Sequence, residues 1–187
     1  MIRGTAVFTV GLASFVLGCA DPEPTAVLPV FEETAAMSVV ANDGNNAAVP
    51  LSGDEEVPAR PTLARGNATF HLSADGLSLT YKLIVANIEN VIASHIHIGP
   101  AGTNGPVTVF LFGPAAPGGG RLDGVIAEGT ITAANFVGPL AGATMDDLIA
   151  AMLAGNAYVN VHTNDGIAPV NTGPGDFPGG EVRGQIR

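Results

Sequence analysis

Two histidines stand at alternate positions in Ser94-His95-Ile96-His97-Ile98, and a third follows an asparagine at the same spacing in Tyr158-Val159-Asn160-Val161-His162-Thr163. A third segment, Glu181-Val182-Arg183-Gly184-Gln185-Ile186, carries charged and amide groups in the same alternation. Successive side chains of a β-strand point to opposite faces. Burying Ile96, Ile98, Val159, Val161, Val182 and Ile186 therefore turns His95, His97, Asn160, His162, Glu181, Arg183 and Gln185 to the other face. If the three segments are neighbours in one sheet, these groups gather in a single polar patch.

Such a patch supports two chemistries. In the first it is a metal site. Histidines at i and i+2 are about 7 Å apart along a strand, and their rings can still converge on one ion. His162 and Glu181 would complete a set of nitrogen and oxygen donors suited to zinc or copper, and a redox role through the histidine cluster goes with that reading. In the second it is a hydrogen-bond network that needs no cofactor, because histidine beside Asn, Glu and Arg satisfies itself. Arg183 favours the second reading. Its fixed charge repels a cation and offers Glu181 a partner. His71 lies on a different polar face and reads as a surface residue.

Catalysis has less support. Ser94 adjoins His95, but adjacent strand residues point apart and form no nucleophile–base pair. There is no nucleophile elbow, phosphate loop or zinc-protease helix motif. No catalytic residue is assigned, and a non-enzymatic binding or structural domain is expected. Glu55-Glu56 reads as a solvated turn, and Asp146-Asp147 as favourable charge at a helix start. Asn164-Asp165-Gly166 and Asp176 offer oxygen donors for calcium, but turn formation accounts for them.

The elements that carry these residues are short and alternate in polarity. Ala68, Phe70 and Leu72 alternate with Asn67, Thr69 and His71. The turn Ser73-Ala74-Asp75-Gly76 leads into Leu77, Leu79, Tyr81, Leu83 and Val85, again alternating. This predicts an antiparallel hairpin with one dry face. Further strands are predicted at about 91–98, 106–112, 124–132, 157–163 and 180–186, with a short one near 48–52. One helix interrupts them. Thr144 and Asp147 form a capping box, Met145, Leu148, Ile149, Met152 and Leu153 make one apolar stripe, and Gly155 marks the stop. The fold class is all-β: a two-sheet antiparallel β-sandwich or a flattened Greek-key barrel of about eight strands with one short helix.

Four of these motifs carry a family resemblance. Leu51-Ser52-Gly53-Asp54-Glu55-Glu56-Val57-Pro58 opens the region. Ser94-His95-Ile96-His97-Ile98-Gly99-Pro100-Ala101-Gly102, with Asn104-Gly105-Pro106-Val107, follows. Then come Tyr158–Thr163 and Pro178-Gly179-Gly180-Glu181-Val182-Arg183-Gly184-Gln185-Ile186. Their types and order resemble the CHRD domain, named from chordin, an extracellular antagonist of bone morphogenetic proteins, and found also in bacterial exported proteins. The resemblance implies an extracytoplasmic β domain. It carries over neither growth-factor binding nor catalytic residues.

The N-terminal region reads as export machinery. Arg3 precedes an apolar run from Thr5 to Leu17, shorter than the roughly 20 residues of a membrane span. Val16-Leu17-Gly18-Cys19 resembles a bacterial lipobox, in which the Cys19 thiol is lipidated after cleavage. Cys19 is the one cysteine of the chain. Lipidation explains it better than an unpaired thiol in an exported protein, and ordinary secretion is the alternative. Residues 1–18 are thus a lipoprotein signal peptide, 19–47 an acidic, proline-rich tether, and 48–187 the CHRD-like β domain. The expected location is the cell envelope, at the outer membrane or cell surface, or else secreted or periplasmic. The expected partners are the membrane, through the N-terminal lipid, and a protein or surface ligand of unknown kind. The net charge of −10 repels phosphate backbones and argues against nucleic acid.

Overall fold

The computed structural model describes residues 45–187. The expected leader, Cys19 and the tether up to residue 44 lie outside the described residues. Eight strands form one antiparallel sheet: β1 (Asn46–Ser52), β2 (Arg65–Leu72), β3 (Leu79–Glu89), β4 (Val91–Ile98), β5 (Val107–Phe112), β6 (Arg121–Ile131), β7 (Ala157–Thr163) and β8 (Val182–Ile186). The helix α1 (Met145–Leu153) precedes β7. The strand order is β5-β4-β7-β8-β1-β2-β3-β6. Of the two arrangements the sequence left open, the chain adopts the single sheet, curled into a nearly closed barrel.

The β2–β3 hairpin forms where alternation and the Asp-Gly turn place it. Gly76 takes a φ of +70°, which costs glycine little. Asp75 accepts hydrogen bonds from Ser73 Oγ and Leu77 N. Leu77, expected on the dry face, is 68% exposed. It belongs to the turn, and pairing begins only at Leu79.

Asn90, at φ +55°, turns the chain between β3 and β4, which lie in opposite halves of the sheet order. Its amide holds that corner: Nδ2 donates to Gly175 O and Oδ1 accepts from Gly120 N. β5 and β6, the two ends of the sheet, do not pair with each other. Across that gap Tyr81 Oη donates to Leu111 O at 2.8 Å, and Val137 N, from the segment after β6, donates to Thr108 O. β6 is largely exposed and carries Arg121, Asp123 and Glu128, charges that discourage pairing with another chain.

Inside lie Val49, Leu51, Phe70, Leu83, Val85, Ile96, Val109, Val159, Val161, Val182 and Ile186, all buried. Burying each such side chain contributes about 1.5–3 kcal/mol relative to exposure. The helix adds Met145, Leu148, Ile149 and Met152 to the same core. Thr144 Oγ1 accepts from Asp147 N, and Asp147 Oδ2 accepts from Thr144 N at 2.8 Å, so the predicted capping box is present. Gly155 follows at φ +67°.

β8 lies close against β1 at Gly184. A Cβ there would collide with Pro50 O and lie 2.8 Å from Val49 Cγ1. Two substitutions test this frame by denaturant unfolding. Gly184→Val should destabilise the domain by about 1–3 kcal/mol through overpacking. Tyr81→Phe, losing one hydrogen bond across the gap, should cost about 0.5–1.5 kcal/mol.

Candidate functional site

β4, β7 and β8 are neighbours, and their register fixes the outward face. His95 opposes Asn160, which opposes Arg183 on its other side. His97 opposes Tyr158, which opposes Gln185. His162 opposes Ala93, whose small side chain leaves room for the His95 ring to lean across. On the far side of β4, register shifts against β5 fall just before and just after the pair His95 and Ile96. Such bulges re-aim side chains.

The three histidine rings converge. The His95 centroid is 4.8 Å from that of His162 and 5.5 Å from that of His97, and His97 and His162 are 6.0 Å apart. One nitrogen from each ring lies within 4.8 Å of one from each other ring. An ion about 2.0–2.1 Å from each nitrogen needs those nitrogens roughly 3.4 Å apart, so the rings would have to draw together on binding.

Backbone carbonyls set two of the tautomers. A carbonyl carries no proton, so His97 Nδ1–H donates to Gly105 O at 2.8 Å and His162 Nδ1–H donates to Pro178 O at 2.9 Å. In the neutral rings this leaves both Nε2 atoms with free lone pairs. His162 Nε2 then accepts from His95 Nδ1 at 3.0 Å. His97 Nε2 is buried without a partner.

Burial lowers the pKa of all three rings. His95 is pushed down to about 4, first by burial and then by His162 and His97. His97 is lowered by burial against the Gly105 carbonyl and Asn160, which raise it, with the Arg183 charge adding to the fall. His162 is lowered by burial against the Pro178 carbonyl. The rings are therefore neutral near pH 7, the form in which imidazole binds metal.

The outward face is not open to water. Loop residues 99–106 lie over β8: Gln185 Nε2 donates to Gly99 O, and Arg183 donates to Pro100 O and Asn104 Oδ1. Asn160, Arg183 and Glu181 are all buried, whereas His95 is half-buried. Arg183 Cζ lies 3.4 Å from the Tyr158 ring centroid, and Tyr158 is stacked on His97 at 4.8 Å. Phe110, on β5, meets the His95 ring edge-on at 4.8 Å and is 55% exposed.

Three expectations need correction. Glu181 does not join the histidines. Its carboxylate accepts from Thr62 Oγ1, Thr163 Oγ1 and Gly175 N, partners that the turn before β8 brings to it. For the same reason it does not pair with Arg183, whose hydrogen bonds go to neutral groups. Glu56, expected in a solvated turn, is 5% exposed with an unpartnered Oε1. Burial raises its pKa to about 7, against the lowering effect of Arg183.

Other expectations correspond to what is seen. His71 is exposed and bonded to Asn46 Oδ1. Asn164 and Asp165 accept from Gly166 N and Ile167 N, and Asp176 accepts from Thr172, which is turn formation. Tyr158 was reachable from sequence by its parity with Asn160 and His162. Phe110 and Glu56 carried no signal, because a distant strand and a loop bring them in.

The profile of the family described as CHRD domain matches residues 47–186. No curated protein and no solved structure matches the chain.

The pKa shifts predict opposing pH trends. A histidine that stays neutral in the fold but titrates near 6.5 when unfolded gives stability that is complete above about 6.5. That stability is lost as pH falls towards His95's value of about 4. Glu56 acts the other way, because a raised carboxyl gives stability present below its unfolded value of 4.5 and lost as pH rises through about 7. Unfolding of Glu56→Gln should therefore show stability falling steadily from pH 6.5 to 4.5. Adding His95→Gln should flatten that slope; an unchanged slope contradicts the assignment.

Proposed function

The chain belongs to the CHRD domain family, and from that premise we propose that it is a non-enzymatic, extracellular-type domain that binds one copper or zinc ion through His95, His97 and His162. One observation carries this reading. Two neutral rings are fixed through Nδ1 by backbone carbonyls, which leaves each Nε2 as an acceptor, and one of those Nε2 atoms is buried without a partner. Histidines that bind metal characteristically donate their other nitrogen in this way, and buried polar atoms without partners are rare. Glu181, expected as a fourth ligand, has no part in it.

A second reading keeps the same rings as a hydrogen-bond network in a binding or structural domain. The His95–His162 bond and the nearby Arg183 favour it. In it the Asn160 side chain, which acts on His97 by hydrogen bonding, serves that ring, although Nε2 makes no bond of full geometry.

The domain is held at the cell envelope by a lipid on Cys19, through the tether. The lipobox-like Val16-Leu17-Gly18-Cys19 supports this reading.

Elemental analysis of the chain purified without chelators tests the metal. About one copper or zinc ion per chain is expected. His95→Ala with His97→Ala should lower affinity at least a hundredfold with the β circular dichroism retained. Absence of binding at micromolar copper and zinc leaves the network reading. For the anchor, labelled palmitate should enter the wild-type chain in a bacterial host but not Cys19→Ser; equal labelling, or none in either, removes it.

A further inference from the structure

Resting on the three-histidine site proposed above, we propose that the site is selective for monovalent copper, Cu(I), over the dications Cu(II) and Zn(II). The donor set is neutral. Among the described residues, no carboxylate or thiol joins the three rings. The nearest expected carboxylate, Glu181, is held by Thr62, Thr163 and Gly175.

The surroundings also hold a buried cation, Arg183, with Glu56 and Glu55 as its acidic neighbours. Arg183 is 1% exposed, and its guanidinium makes hydrogen bonds to Pro100 O, Asn104 Oδ1 and Gln185 Oε1, all neutral. It lies on Tyr158, which is stacked on His97. The cost of taking an ion out of water grows with the square of its charge, so a dication pays about four times what a monocation does. Repulsion from Arg183 doubles as well. Nothing in the donor set offsets either term.

The number of donors points the same way. Zinc keeps four ligands, so on three histidines it must retain a water as the fourth, and Cu(II) favours a tetragonal set. Here three nitrogens converge, and the neighbour on the exposed side of His95 is the Phe110 ring, which donates nothing. Cu(I), with a filled d shell, has no ligand-field preference and accepts a trigonal set. No redox step is involved: the ion binds as Cu(I) and is retained as such.

Competition of the purified full chain with bicinchoninate under reducing conditions gives the Cu(I) affinity. Competition with chelators of known strength gives Cu(II) and Zn(II). Cu(I) should bind at least a hundredfold more tightly than Cu(II), which places the potential of the bound couple about 120 mV above that of the free ion. Arg183→Gln should narrow this preference at least tenfold. Because Arg183 is buried, Phe110→Asp provides a second arm at an exposed position. It adds a fourth donor and a negative charge, and should raise Zn(II) affinity at least tenfold. Cu(II) or Zn(II) binding as tightly as Cu(I) in the wild-type chain overturns the selectivity and leaves the three-histidine site standing. Absence of binding by all three ions overturns the site itself.

Discussion

The structure depends on one constraint: β4, β7 and β8 must bury Ile96, Val159, Val161, Val182 and Ile186 on the same side. A shift of one residue in any of these pairings would move an aliphatic set to the wrong face. The register that satisfies the core therefore also assembles His95, His97, Asn160, His162 and Arg183 on the reverse. Their meeting is a consequence of packing and requires no separate attraction between them.

That reverse face would be unremarkable if it were wet. Instead, loops from three parts of the chain close over it, so β7 is buried along its whole length. Burial makes every polar partner matter, since an unmet group costs far more there than at the surface. Most groups are met by loop carbonyls or by neighbouring side chains. Five buried side-chain atoms among the described residues are exceptions: His97 Nε2, Asn160 Oδ1 and Glu56 Oε1, with Arg60 Nε and Asp176 Oδ1; the first three belong to residues of this face or the loop beside it.

The sequence made the strands, the hairpin, the capped helix and the shared face of the three histidines legible, because each rests on local period or local hydrogen bonding. What it could not convey came from long-range packing. Glu181 follows the parity of β8 yet precedes the paired strand, so the turn redirects it to Thr62 and Thr163. Glu56 looks like half of an exposed acidic pair until Gly180 makes room for it: a Cβ there would collide with its carboxylate. Phe110 reaches His95 only through the bulged pairing of β4 and β5. The alternative between two sheets and one was decided by β1, which pairs with β8 at a single position, Ser52 with Arg183, and so links the two halves into a continuous sheet.

The carbonyls of Gly105 and Pro178 have a wider consequence than fixing tautomers. They belong to separate loops, and an imidazole is among the groups that tie each to the sheet. The two rings thus tie two loops to one patch of the sheet, and losing either ring would leave a loop carbonyl to find its partner in water or go unmet.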